Sequence, residues 1–386
     1  MEGTYYLIDY FIQNTIDMKK RILLVLSMFL LSLYAGAQTP KEQEVKFVNI
    51  DSLMIIGKGF DQCTVKYGRV PDALRQELRP ELLQLGANSS GLAVRFNSNS
   101  SFVAVKWTVL EDVSMNHMPD TGIKGLDLYV LDGGNWCFVG TAKPNAKGNT
   151  KESFAVFVKN MAVQNREFIA YLPLYDGVSS VEIGVEQDAQ IRLPQNNRLT
   201  KSDVKKPILF YGTSITQGGC ASRPGMAYPN ILGRMLDRET INLGFSGNGR
   251  LDFSMAKAIN MANVEAVVLD CLPNTTTQSL RDSAYRFITH IAKFRPNMKI
   301  YMVENPNFPY LLVNQEAKAQ IEEENNEWRE IFASLVGEGY SNIIYIRGER
   351  LLGQDGEGTV DGVHFTDLGF LRYAQSLMEE IELTLR

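Results

Sequence analysis

The 386-residue sequence has few of the residues on which several kinds of active site depend. It contains three histidines and four cysteines, and the cysteines show no CxxC or Cys/His spacing suited to zinc. The net charge of −5, from 39 basic and 44 acidic side chains, excludes the basic footprint of a nucleic-acid-binding protein. With 45% hydrophobic residues the chain is able to form a core, and its length favours two domains.

The cysteines are interpreted as structural thiols. Cys137 follows Trp136 in a strand-like run and Cys271 ends an apolar strand, so both are predicted to be buried. The sequence leaves open whether any of Cys63, Cys137, Cys220 and Cys271 are paired in disulfides.

A long hydrophobic run is also missing, and the apolar segment near the start is short. Residues 18–21 read Met-Lys-Lys-Arg, an apolar run follows from 22 to 34, and residues 35–37 are Ala-Gly-Ala. About a dozen apolar residues are too few to cross a bilayer core of about 30 Å. Residues 1–37 are therefore predicted to be a signal peptide, with Met18 as an alternative start. An exported, periplasmic or extracellular protein without a stable membrane span is expected, with an N-terminal anchor as the alternative.

The rest of the chain changes its hydrophobic period half-way. Residues 38–195 contain short runs that alternate apolar and polar residues between turn-forming residues, which predicts a β-sandwich with a helical insert around 71–85. From residue 207 to 386, apolar strands alternate with helix-length amphipathic segments, which predicts a parallel α/β sheet. Residues 196–206 are predicted to be the linker. The strands are expected at 91–96, 102–107, 126–130, 152–158, 166–172 and 180–185, and then at 208–211, 240–245, 266–269, 299–303 and 343–346.

Polar or glycine-rich segments follow several strands of the predicted parallel sheet, where ligands of open α/β sheets bind. Ser214, after the first strand, is a candidate nucleophile, although a serine there is also a common helix cap. Gly247, after the second strand, and Asn274, after the third, can donate to an anionic oxygen, although both also suit tight turns. Asp361 and His364, before the last helix, are spaced so that the carboxylate can orient the imidazole.

The order Ser, Gly, Asn, Asp, His resembles that of the SGNH (GDSL-type) hydrolases, a superfamily of serine esterases and lipases. Over residues 207–386 the resemblance implies a three-layer α/β/α (flavodoxin-like) fold. It implies that Ser214 is the nucleophile, His364 the general base and Asp361 the residue that orients the base. It also implies that the reaction needs neither a metal nor another cofactor.

The resemblance further implies an oxyanion hole formed by the backbone N–H of Ser214 together with Gly247 and Asn274. Two departures from the superfamily pattern bear on this site. Thr213 stands where the superfamily commonly has aspartate, and Leu272-Pro273-Asn274-Thr275 stands where it commonly has Gly-x-Asn-Asp. The nucleophile, base and orienting carboxylate are all present, so activity is expected.

Residues 125–129 read Gly-Leu-Asp-Leu-Tyr and resemble the GxDLY motif of a β-sandwich that precedes this kind of catalytic domain in many bacterial proteins. The resemblance implies an all-β, jelly-roll-like accessory domain. His117 and Asp120, in the loop before this motif, are candidate substrate-binding residues. Arg223 is a third candidate, and the sequence equally allows it to anchor a carboxylate within the fold.

The expected function is that of a secreted serine esterase that hydrolyses acyl esters, O-acetyl groups on carbohydrate in particular, through an acyl-enzyme intermediate. The partner is then a small-molecule or glycan ester. One alternative is a lipase, lysophospholipase or thioesterase that acts on longer acyl chains. Another is a carbohydrate-binding protein without activity. The oligomeric state is left open.

Overall fold

The computed structural model describes residues 18–20, 39–146, 148, 150–194 and 205–385. The chain divides into two compact units, Met1–Gln43 and Glu44–Arg386. The predicted signal peptide, apart from residues 18–20, lies outside the described residues, and so does most of the predicted linker. Within the described ranges, no helix is long and apolar enough to cross a membrane.

The first part of the larger unit is a sandwich of two antiparallel sheets. Strands β1, β9, β4 and β7 form one sheet; β10, β3, β8, β5 and β6 form the other, with β2 paired to β3. The facing sides bury aromatic and branched side chains such as Phe96, Trp107 and Phe168. The strands are β1 (Lys46–Asn49), β2 (Met54–Ile56), β3 (Ala93–Ser98), β4 (Val103–Val109), β5 (Leu126–Asp132), β6 (Asn135–Ala142), β7 (Glu152–Val158), β8 (Arg166–Tyr171), β9 (Val178–Val185) and β10 (Ile191–Arg192), with helices α1 (Pro80–Gly86) and α2 (Asp120–Ile123).

The second part is a parallel five-stranded sheet in the order β12-β11-β13-β14-β15. Every residue of its three central strands except Lys299 is buried, because helices cover both faces. The strands are β11 (Ile208–Gly212), β12 (Thr240–Gly244), β13 (Ala266–Asp270), β14 (Lys299–Val303) and β15 (Ile343–Ile346). The helices are α3 (Ser214–Gln217), α4 (Tyr228–Met235), α5 (Phe253–Met261), α6 (Thr277–Phe294), α7 (Gln315–Gly337) and α8 (Asp367–Thr384).

Two hydrophobic cores separate the layers of this second part. Residues of α5, α6 and α7 pack on one face of the sheet, with Met255, Phe287 and Trp328 among them. Residues of α4 and α8 pack on the other face, with Tyr228 and Tyr373 among them. The predicted three-layer α/β/α arrangement preceded by an all-β sandwich is therefore confirmed.

Two local features of the sandwich differ from the predictions. The helical insert predicted around 71–85 is a 3-10 turn at Asp72–Leu74 followed by α1. The prediction that Cys137 is buried is wrong: this residue is exposed on β6, which is the edge strand of its sheet, whereas Cys271 is buried as expected. All four cysteines are free thiols.

Candidate active site

Ser214 follows the carboxyl end of β11, which lies between β12 and β13 in the parallel sheet. Strand β11 ends at Gly212, and the Thr213 hydroxyl accepts a hydrogen bond of 3.2 Å from the backbone N–H of Ile215. This cap begins α3 at Ser214, so the serine N–H belongs to the first turn, where helices leave N–H groups without intrahelical partners. Only 7% of Ser214 is exposed.

His364 and Asp361 reach Ser214 from the loop that precedes α8. His364 Nε2 lies 2.9 Å from Ser214 Oγ, and His364 Nδ1 lies 2.7 Å from Asp361 Oδ2. The other carboxylate oxygen, Oδ1, accepts from the backbone N–H groups of Val363 at 3.0 Å and His364 at 2.8 Å. The carboxylate therefore fixes both the loop and the ring, and it favours the tautomer with the proton on Nδ1.

The electrostatics of this pair suit base catalysis. Partial burial raises the pKa of Asp361, but hydrogen bonds from the His364 ring and from the two backbone N–H groups outweigh it and lower the pKa to about 2. Asp361 is therefore ionised throughout the neutral and mildly acidic range. A fixed negative charge beside Nδ1 stabilises the imidazolium that forms when His364 accepts a proton.

The two predicted oxyanion residues lie on the neighbouring strand ends. Gly212 of β11 is in register with Gly244 of β12 and with Asp270 of β13, so the loops carrying Gly247 and Asn274 flank the Ser214 turn. Gly247 has a φ of +66°, a conformation that glycine adopts without strain. Asn274 Oδ1 accepts from the backbone N–H of Gly249 at 3.3 Å, which ties the two loops together.

Close packing also requires the glycine at position 249. A Cβ atom there would lie 2.3 Å from the carbonyl oxygen of Gly212. Because Asn274 uses its oxygen for Gly249, its Nδ2 amide is the part of the side chain left to donate to a substrate oxygen.

The sandwich supports this site through residues that the sequence did not reveal. The buried Tyr175 hydroxyl donates to the backbone carbonyl of Ser214 at 3.2 Å. Gln217, at the end of α3, donates to Asn88 Oδ1 at 3.0 Å and accepts from the Ser246 backbone N–H at 3.0 Å. These contacts join the nucleophile turn and the Gly247 loop to the sandwich. The residues that form these contacts are far apart along the chain. Neither the hydrophobic period of the sequence nor the positions of its predicted strand ends therefore indicated the contacts.

The buried guanidinium of Arg69 also joins the sandwich to the parallel-sheet part. Arg69 is 3% exposed and donates to the backbone carbonyls of Asn242, at 3.1 Å, and Gly244, at 2.7 Å. It also donates to the carbonyls of Asn88 and Leu85 in the sandwich. Burial lowers the pKa of Arg69 to about 9. The side chain thus fixes the end of β12, from which the Gly247 loop begins.

Arg223, predicted either to contact substrate or to anchor a carboxylate, is held within the fold. Its Nη1 atom donates to the fully buried Asp127 Oδ2 at 2.7 Å and to the Tyr129 hydroxyl. Asp127 also accepts from the backbone N–H of Gly225 at 3.0 Å. Asp127 and Tyr129 belong to the Gly-x-Asp-Leu-Tyr segment, so this segment binds the loop that follows Ser214. The structure favours the anchoring alternative.

The two other candidate substrate-binding residues have different positions. The ring centroid of the exposed His117 lies 5.7 Å from that of His364, so this sandwich residue lies beside the candidate base. Asp120 begins α2, where its carboxylate lies 3.4 Å from Lys124 Nζ and accepts from the Ser114 hydroxyl at 3.1 Å. Asp120 therefore stabilises the loop that carries His117.

The sequence was compared with family models and with solved structures. Residues 205–382 match the GDSL-like lipase/acylhydrolase family, and residues 45–191 match the GxDLY domain, the N-terminus of SGNH hydrolase-type esterases. A GDSL-like lipase from Bacteroides ovatus is 33% identical, with a TM-score of 0.82, covering 88% of this chain and 98% of that chain. The chain belongs to the GDSL-like (SGNH) esterase family.

More distant structures share the fold of this GDSL-like esterase. The salicylyl-acyltransferase SsfX3 is 16% identical, with a TM-score of 0.70, and the match covers 89% of this chain and 98% of that chain. A family two carbohydrate esterase from Clostridium thermocellum, in complex with cellohexaose, is 15% identical, with a TM-score of 0.54, and the match covers 77% and 93%. No protein of curated function matches the sequence significantly. Family membership makes this GDSL-like esterase an ester-bond hydrolase.

Proposed function

We propose that this GDSL-like esterase is an exported serine esterase that removes O-acetyl groups from carbohydrate through an acyl-enzyme intermediate. The observation that carries the mechanism is the continuous chain of hydrogen bonds from Ser214 Oγ through the His364 ring to Asp361, with distances of 2.9 and 2.7 Å. Such a chain activates a serine hydroxyl, whose own acidity is too weak for attack on an ester.

In the proposed reaction, Ser214 Oγ attacks the ester carbonyl carbon while His364 Nε2 accepts the hydroxyl proton. The ionised Asp361 stabilises the imidazolium, and the N–H groups of Ser214, Gly247 and Asn274 stabilise the oxyanion. The C–O bond to the leaving alcohol breaks, and His364 gives its proton to that alcohol. Water then attacks the acyl-enzyme by the same route and releases the acid, so neither a metal nor an organic cofactor is needed.

Two features support a small acyl group on a polar substrate. Polar side chains border the triad: Asn116 and His117 are exposed, and Ser246 and Asn248 are partly exposed. Moreover, the fold is shared with a carbohydrate esterase whose structure contains cellohexaose. A long acyl chain would instead require an apolar channel beside the serine.

A cavity near the loop that precedes α8 is a candidate site for a more distant sugar of such a substrate, since none of Ser214, Asp361 and His364 lines it. It has a volume of about 590 Å³ and lies at the carboxyl ends of β14 and β15, where Gly358 of the loop preceding Asp361 lines it. Its other lining residues mix polar groups, such as Asn307 and Gln354, with the ring of Phe308. Such a mixture suits sugars, which present both hydroxyl groups and C–H faces.

The test compares initial rates on p-nitrophenyl acetate and octanoate, and then on acetylated oligosaccharides, with the Ser214→Ala variant as the background control. We expect preferential hydrolysis of acetate and release of acetate from the glycans. Preference for octanoate would support a lipase or thioesterase instead. Glycan binding without hydrolysis of any ester would indicate the inactive carbohydrate-binding alternative.

A further inference from the structure

Four side chains with metal-ligating atoms meet beside the nucleophile. Ligand atoms of His117, Cys220, Asp361 and His364 all lie within 4.8 Å of one another. They come from three segments that are distant in sequence: the sandwich loop before α2, the turn after α3 and the loop before α8. The proposed mechanism uses Asp361 and His364, but it gives no role to the thiol of Cys220.

The thiol and the second imidazole are held together by direct contacts. Cys220 is buried and its Sγ atom donates to the backbone carbonyl of His117 at 3.4 Å. The His117 ring faces that of His364 at a centroid distance of 5.7 Å, and its Nδ1 lies 3.1 Å from Asn116 Oδ1. Nδ1 of His117 is thus engaged by an amide oxygen, an arrangement that leaves Nε2 directed to other partners.

We propose that His117, Cys220, Asp361 and His364 form a site that binds zinc reversibly and that bound zinc inhibits the esterase. Zinc is the divalent ion that this donor set suits, because it accepts imidazole nitrogen, thiolate sulfur and carboxylate oxygen in one tetrahedral shell. The ligand atoms lie within 4.8 Å of one another, and a separation at this limit exceeds that in a closed tetrahedral site, so binding requires a small contraction of the three segments. Calcium and magnesium prefer oxygen ligands and are not expected to bind.

Inhibition is expected because one of the proposed metal ligands, His364, is also the proposed general base. On binding, the Cys220 thiol loses its proton to solvent and the sulfur becomes a thiolate ligand. A His364 ring that ligates the metal no longer accepts the proton of Ser214. The inhibition rests on the proposed serine mechanism, whereas the binding of the metal does not.

The first experiment measures binding without relying on activity. Cobalt(II) is added to the Ser214→Ala variant, and the near-ultraviolet band of a thiolate-cobalt bond is recorded. We expect the band to appear at one equivalent of cobalt. It should be lost in the double variant that also carries Cys220→Ser, and it should persist in the double variant that carries Cys137→Ser, at an exposed cysteine, instead. No band, or a band that survives Cys220→Ser in a variant with an unchanged thermal transition, overturns the proposal.

The second experiment measures inhibition of the otherwise unmodified enzyme. Zinc is expected to abolish hydrolysis of p-nitrophenyl acetate and EDTA to restore it, while magnesium has no effect. Cys220→Ser should keep its basal rate but require about tenfold or more zinc for half-inhibition, because a lost ligand weakens metal affinity by at least as much as a lost outer-shell partner. Equal sensitivity of Cys220→Ser and the parent overturns the proposal. If the parent lacks esterase activity, the cobalt experiment still decides whether the site exists.

Discussion

At the scale of single residues, Asp361 contributes more than its charge to the site. Its two oxygens accept from the His364 ring and from two backbone N–H groups, so one carboxylate sets the ring orientation, the tautomer and the loop conformation. An amide at this position would have to present an N–H to the ring or to the backbone. Either arrangement would disfavour the His364 tautomer with the proton on Nδ1, in which Nε2 is able to accept the proton of Ser214.

We expect Asp361→Asn to lower kcat by about 10⁴-fold, because the imidazole would be held in the wrong tautomer. Steady-state kinetics on p-nitrophenyl acetate measure this. The control is Asp355→Asn, which alters an exposed carboxylate of the same loop region that pairs with Arg372. A loss of less than tenfold in Asp361→Asn would contradict the assigned role.

A second carboxylate, Asp270, is buried in the parallel sheet on the strand next to β11. It ends β13 and accepts from the hydroxyl groups of Tyr228 at 2.7 Å, Tyr373 at 2.8 Å and Thr216 at 3.0 Å. Burial raises its pKa from 3.8 to about 6, although the three hydroxyl groups act in the opposite direction. Below pH 6 the folded state therefore holds a proton that the unfolded state has lost above pH 4.

Because the folded state binds more protons in this range, the free energy of unfolding falls as the pH rises from about 4 to 6. A difference of about two between the pKa of Asp270 in the folded state and in the unfolded state corresponds to about 3 kcal/mol in the free energy of unfolding. We expect Asp270→Asn to remove this contribution, so the stability of the variant relative to the parent should rise between pH 4 and 7. Denaturant unfolding at several pH values measures the difference. A difference between the two proteins that stays constant with pH would contradict it.

At the scale of elements, the turn after α3 is fixed to β5 of the sandwich by one ion pair. Asp127 is fully buried, and burial raises its pKa despite the opposing effect of Arg223. The Arg223 guanidinium also lies 3.8 Å from the Phe138 ring centroid. Removing the cation would leave a buried carboxylate without its charged partner.

Arg223→Ala is expected to destabilise the protein by about 3–5 kcal/mol, the usual effect of breaking a buried pair from one side. Chemical denaturation measures the change. Arg347→Ala, which removes an exposed partner of Glu349, is the matched control and should change stability by less than about 1 kcal/mol. If Arg223→Ala leaves stability unchanged and raises only KM, then Arg223 binds substrate instead.

The elements also show where sequence patterns are informative. The predictions of β7, β14 and β15 coincide with the observed bounds, because apolar runs or alternating residues reflect burial on one or two faces. The bounds of the edge strand β6 were not predicted: the sequence marked only a strand-like run around Trp136 and Cys137, and three of the eight residues of β6, Asn135, Cys137 and Phe138, are exposed. Burial of Cys137 was mispredicted for the same reason: an edge strand leaves one side of an apolar run in solvent.

At the scale of the whole molecule, the sandwich contributes residues to the candidate active site. Tyr175 contacts the backbone of Ser214, Arg69 fixes the end of β12, and the His117 ring lies beside that of His364. The sequence predicted that Ser214 and His364 would meet, because residues that follow parallel strands come together at one edge of the sheet, and the two side chains lie within hydrogen-bond distance of each other. It could not identify Tyr175 or Arg69, since their partners follow from how the sandwich packs against the sheet, and local patterns do not encode that packing.

Active-site labelling with a fluorophosphonate, followed by peptide mass spectrometry, shows directly whether Ser214 is the nucleophile. We expect one equivalent to attach to Ser214, hydrolysis of p-nitrophenyl acetate to be lost in step with labelling, and Ser214→Ala to remain unlabelled. Hydrolysis by Ser214→Ala at the parent rate, or a stoichiometric label on another residue, would contradict the proposal that Ser214 is the nucleophile.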